Sequence, residues 1–94
     1  AVLVAHFAQC LHSLRDRPNV VDIRNLGLVG AIELQPRPGR PGERAMAVFL
    51  ECWRQGLLVR TTGDTIALSP PLIIKPEQVD EMISIVSFAI EQCQ

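Results

Sequence analysis

The sequence is poor in several residue types that advertise function. It has no tyrosine, one tryptophan, three phenylalanines and a single lysine, Lys75. So few aromatic side chains leave no row of stacking platforms for unpaired bases. A formal net charge of −1 gives no electrostatic footprint for nucleic acid or an anionic membrane. No apolar run reaches the roughly 18 residues needed to span a bilayer. "AVLVAHFAQC" is apolar, but it lacks a basic start and a small-residue cleavage site, so it reads as a helix and not as a secretory leader. Cys10, Cys52 and Cys93 are odd in number, far apart, and never arranged as C-x-x-C. That argues against a disulfide framework or a zinc motif and fits the reducing cytoplasm, with all three thiols as small buried or half-buried residues. His6 and His12 are off the i,i+4 spacing of a metal pair and read as rim histidines, so no metal site is expected. No serine or cysteine lies in a nucleophile motif.

What is present is a globular composition, 48% hydrophobic and 20% charged. Residues 1–94 are read as a single domain with one modest core. Leu3, Phe7, Cys10, Leu11 and Leu14 make a helical stripe that ends at Pro18. "VVDIRNLGLVGAIEL" predicts a hairpin with Gly27 at a left-handed position, and Leu28, Gly30, Ile32 and Leu34 on one face. Arg24 and Glu33 are placed to pair across it, a contact of small worth in itself. "QPRPGRPGE" is a surface loop; its prolines remove the amide donors a phosphate cradle needs.

"ERAMAVFLECWRQG" predicts a helix with Met46, Phe49, Leu50 and Trp53 inward, Trp53 as a core anchor, and Gly56 as its cap. "LLVRT" and "TIALS" follow as strands joined by a type II′ turn at Gly63-Asp64. "SPPLII" ends the sheet, and a last helix from Pro76 buries Val79, Met82, Ile83, Val86 and Ile90, with Ile74 as a hydrophobic staple on Val79. The order αββαββα predicts an α+β sandwich: a four-stranded, mostly antiparallel sheet with helices packed on one face.

Arg60 is the chemically suggestive residue. In the predicted register it faces Ala67, with Thr62, Thr65 and Ser69 on the same side. Small neighbours leave a guanidinium room to meet a planar anion through two parallel hydrogen bonds. The plain alternative is an exposed strand arginine with no ligand. On these residues alone, a free-standing small-molecule-binding or interaction module without catalysis also stays open.

"NVVDIRNLGLVGAIEL", the glycine–proline loop, "GLLVRTTGDTIALSPPLII" and the final amphipathic helix together resemble the C-terminal small domain of class III, fold-type I aminotransferases. Within them the sequence is most similar to the ω-amino acid–pyruvate, or β-alanine–pyruvate, group. The likeness runs from about Phe7 to the end, and R-x-x-G-D followed by SPPL is its most specific part. The resemblance implies a full-length enzyme that uses pyridoxal phosphate and an amino donor with pyruvate or another keto acid, acting as a homodimer. It implies that Arg60 binds the substrate carboxylate and can swing aside for an apolar group, whereas Gly63 and Asp64 form the turn. It also implies that the cofactor's lysine and phosphate-binding groups lie in the large domain of the same chain. Lys75 is not expected to take that role, and this segment is expected to bind no cofactor and to be inert alone.

Overall fold

A computed structural model describes residues 2–71 and 73–94 of the chain. The expected order is observed: α1 (Val2–His12), a 3₁₀ turn (Ser13–Asp16), β1 (Val20–Leu26), β2 (Val29–Leu34), α2 (Glu43–Arg54), β3 (Arg60–Thr62), β4 (Thr65–Leu68) and α3 (Pro76–Gln92). The four strands form one antiparallel sheet in the order β1-β2-β4-β3. Both hairpins close on two residues. Gly27 and Gly63 each have φ of +58°, while Leu28 and Asp64 keep negative φ. Positive φ at the first position alone is the type II′ geometry that matches strand twist.

The pleat sends Leu34, Ile32, Ile66, Leu68 and Val59 into a core shared with Phe7, Leu11 and Leu14 of the α1 region and Val79, Val86 and Ile90 of α3. Helix α3 contacts both α1 and α2. Side chains of α1 pack directly onto Gly30, where an added Cβ would lie 2.6 Å from Leu11 Cδ2 and 3.1 Å from Phe7 Cζ. Any larger residue here would displace Leu11 and Phe7, which suits glycine to the second position of a strand it would otherwise weaken. Pro76 opens α3, and Gln78 at its third position accepts a hydrogen bond from the Lys75 N–H at 2.9 Å, one half of a capping box. Ile74 is half-buried against the core cluster that contains Val79.

Two expectations are corrected. The buried side of α2 is Ala45, Val48 and Cys52, with the half-buried Phe49, and not the Met46–Leu50–Trp53 stripe. Trp53 is 61% exposed and anchors no core. Both stripes have helical spacing, so periodicity alone cannot choose between them. The small residues face inward because α2 lies close to α3 and to the β3–β4 hairpin.

Strand β3 is also shorter than "LLVRT". Extending its register places Leu58 against Ser69 and Leu57 against Pro70. The ladder ends at the Arg60–Ala67 pair, and Pro70, with no amide hydrogen to give, bars its extension as far as Leu57. Leu72, the last residue of the SPPL motif, lies outside the described residues.

Candidate functional site

Arg60 is aimed by the elements on either side of it. Upstream, α2 ends in a Schellman motif: Gly56 has φ of +86°, its N–H donates to the Trp53 carbonyl at 3.0 Å, and the Leu57 N–H donates to the Cys52 carbonyl at 2.8 Å. The chain leaves the helix in a fixed direction, buries Val59, and reaches Arg60 three residues after Leu57. Downstream, the Gly63-Asp64 turn returns the chain, so that Ala67 faces Arg60 and Thr62 faces Thr65.

Asp64 does more than form the turn, a role that sequence reasoning missed. Its Oδ2 accepts from the Gly42 N–H at 2.7 Å and its Oδ1 from the Ala45 N–H at 3.3 Å. Those are amides at the start of α2. Gly42 occupies the N-cap with no side chain of its own to offer, so the carboxylate that satisfies the helix end and its positive dipole comes from a turn 22 residues away. The Asp64 carbonyl also accepts from the Leu34 N–H at 2.8 Å. One residue thus ties the β3–β4 hairpin to both β2 and α2. The available signal was negative: nothing with a capping side chain stands immediately before Glu43.

On the solvent face of the sheet, Arg24, Ala31, Ala67 and Arg60 form one row across the four strands. Its two arginines differ. Arg24 donates to Asp22 at 2.6 Å and to Glu33 at 3.2 Å, contacts that raise its pKa above the usual arginine value. Arg37 and Arg40 reach Glu43, Arg54 reaches Glu51, Arg17 reaches Ser87, Arg15 bonds the His12 carbonyl, and the buried Arg44 bonds the Gln35 carbonyl. Among the described residues Arg60 is the arginine that makes no such contact. It is exposed, beside a groove of about 540 Å³ lined by Val29, Leu58, Ala67 and Ser69. A guanidinium with all its donors free, flanked by apolar and small side chains, can take a carboxylate in a bidentate fork and pack an aliphatic group beside it.

The other residues singled out from the sequence lie elsewhere. His12 bonds Asn25 at 2.8 Å, and His6 bonds Asp80 at 2.7 Å. The three cysteines are free thiols, and burial pushes Cys52 up to about 11, away from reactivity at neutral pH. Lys75 is exposed at the start of α3, on a different element from Arg60.

This architecture is that of a transaminase segment. It superposes with a TM-score of 0.92 and 25% identity on a thermostable omega transaminase 6-fold mutant from Pseudomonas jessenii, covering 100% of this chain and 22% of that one. Residues 1–90 match the family Aminotransferase class-III, and the chain belongs to that family. It is 51% identical to an omega-aminotransferase of Caulobacter vibrioides over 98% of this chain, and 41% identical to a beta-alanine–pyruvate aminotransferase of Pseudomonas aeruginosa over 96%. It spans 21% and 20% of the lengths of those two relatives.

The family implies pyridoxal phosphate in the full-length enzymes. The described residues do not form a seat for it. The sole lysine is exposed at the start of α3, and two of the amides at the start of α2, those of Gly42 and Ala45, are already bonded to Asp64.

Proposed function

We propose that this chain is the C-terminal small domain of a transaminase that moves an amino group from an ω-amino acid or amine to pyruvate, and that Arg60 binds the substrate carboxylate. The observation that carries the reading is Arg60 itself: an exposed guanidinium with no acceptor among the described residues, on a hairpin locked by Asp64, in a chain of this family. The named activities of the relatives supply the amino donor class and pyruvate. The large domain of the full-length protein then provides the cofactor's lysine and its phosphate-binding groups.

Exposed apolar side chains support packing against further protein. Leu26, Val29 and Leu58 on the open sheet face are 85%, 54% and 68% exposed, and Met46, Leu50 and Trp53 form an outward stripe on α2. A free-standing module would leave both surfaces wet.

The test is an assay of the full-length protein with β-alanine or a terminal amine as donor and pyruvate as acceptor. Formation of alanine with loss of the donor supports the reading. Turnover with 2-oxoglutarate and none with pyruvate would reject it.

A further inference from the structure

His6 and Cys10 stand one turn apart on α1, and Asp80 approaches them from α3. The three atoms that matter are close together: Cys10 Sγ to His6 Nε2 is 3.6 Å, Cys10 Sγ to Asp80 Oδ1 is 3.4 Å, and His6 Nε2 to Asp80 Oδ1 is 2.7 Å. These are the donor types of a zinc site, each presenting one ligand atom to a common point.

The geometry can be checked against bond lengths. Tetrahedral zinc with bonds of about 2.3 Å to sulfur and about 2.0–2.1 Å to nitrogen and oxygen holds its ligand atoms roughly 3.5 Å apart for sulfur–nitrogen and sulfur–oxygen, and roughly 3.3 Å for nitrogen–oxygen. The two sulfur edges already fit. Only the His6–Asp80 edge has to open, by about 0.6 Å on these bond lengths, exchanging a hydrogen bond for two metal bonds. The side chains are 31% and 59% exposed, so neither is held in place by the core and water can fill a fourth position.

We propose that His6, Cys10 and Asp80 form a divalent metal site of zinc type that clips α1 to α3. A thiolate and a carboxylate balance the charge of the ion. Sulfur and imidazole ligation selects zinc or cobalt over magnesium and calcium. On binding, the Cys10 thiol gives its proton to solvent and its sulfur bonds the metal, with no change of oxidation state. The histidine pair considered from the sequence missed this cluster, because the second and third ligands are a cysteine at i+4 and a carboxylate 70 residues beyond it. The site is independent of the role assigned to Arg60.

The test uses the full-length enzyme, stripped with a chelator and dialysed against zinc. Wild type is expected to hold one zinc per subunit, with one sulfur in its coordination shell by X-ray absorption, to protect Cys10 from iodoacetamide, and to melt at a higher temperature with zinc than without. Cys10→Ser and Asp80→Asn each preserve side-chain volume at partly exposed positions. Each is expected to weaken binding by at least ~100-fold, beyond the ~10–100-fold of losing an outer-shell partner. His6→Gln is expected to do the same. Zinc uptake equal in wild type and all three variants, zinc bound without sulfur, or no uptake by wild type would overturn the proposal.

Discussion

Replacing Asp64 with alanine removes the carboxylate that holds the start of α2. The 2.7 Å bond to the Gly42 N–H is charge-assisted and contributes about 1.5–3 kcal/mol, whereas the 3.3 Å bond to the Ala45 N–H is long and adds less. Loss of an N-cap in general costs about 0.5–2 kcal/mol. Partial exposure of Asp64 lets water replace some of what is lost, which places the expected cost near 2 kcal/mol. At about 1.4 kcal/mol per decade, that is roughly a 30-fold increase in local opening. Hydrogen exchange of the full-length enzyme, followed in peptides covering residues 41–47, reads this opening directly. The Gly42 and Ala45 amides should exchange faster by about that factor in Asp64→Ala. Asp64→Asn, which keeps one carbonyl acceptor, should fall between. Exchange unchanged in both variants would mean that the turn does not brace α2, and the account of how Arg60 is held would fail with it.

Other positions give independent checks. Leu68 and Ile83 are 2% and 7% exposed in the shared core, so truncation of either to alanine should cost about 2–5 kcal/mol, read as a urea midpoint shift at constant slope; losses below about 0.5 kcal/mol at both would contradict the register and the helix face. Gly30→Ala should destabilise by about 1–3 kcal/mol, because its Cβ would overlap Leu11 Cδ2, and Gly30→Ala combined with Leu11→Ala should cost less than the two singles added. Simple additivity would show that α1 does not meet the sheet there. Cys52, with its thiol pushed up to about 11 by burial, should resist alkylation in the native enzyme at neutral pH and react only on unfolding; labelling as fast as a surface thiol would place it outside the core.

The elements that were legible had one dominant local pattern. The α3 stripe from Val79 to Ile90, the two glycine-first turns and the alternation along β2 each allow one arrangement, and all three are observed. Helix α2 carried two apolar stripes at the same spacing, and the choice between Cys52 and Trp53 as the inward residue depends on how near the neighbouring elements come. That distance is a tertiary property, absent from periodicity. Strand β3 could not reach Leu57, because the extended register sets that residue against Pro70, beyond the end of β4. At the candidate site, the position and facing of Arg60 followed from strand alternation and turn length. The bracing of its hairpin by Asp64 did not, because a cap supplied from 22 residues away leaves no local spacing to read. The His6–Cys10–Asp80 cluster was hidden for the same reason: only its first two members share an element.

The central claim is that Arg60 reads a substrate carboxylate, and single-turnover half-reactions of Arg60→Ala in the full-length enzyme test it most directly. Each substrate is followed through the absorbance of the cofactor. Charge-assisted hydrogen bonds of about 1.5–3 kcal/mol predict that kcat/KM falls by roughly ten- to several-hundredfold for pyruvate and for carboxylate-bearing donors. A donor amine with no carboxylate should lose much less, and Arg60→Lys should restore little, since a point charge cannot reproduce the planar fork. Equal losses for substrates with and without a carboxylate would contradict the claim and assign Arg60 to the fold or to a domain contact.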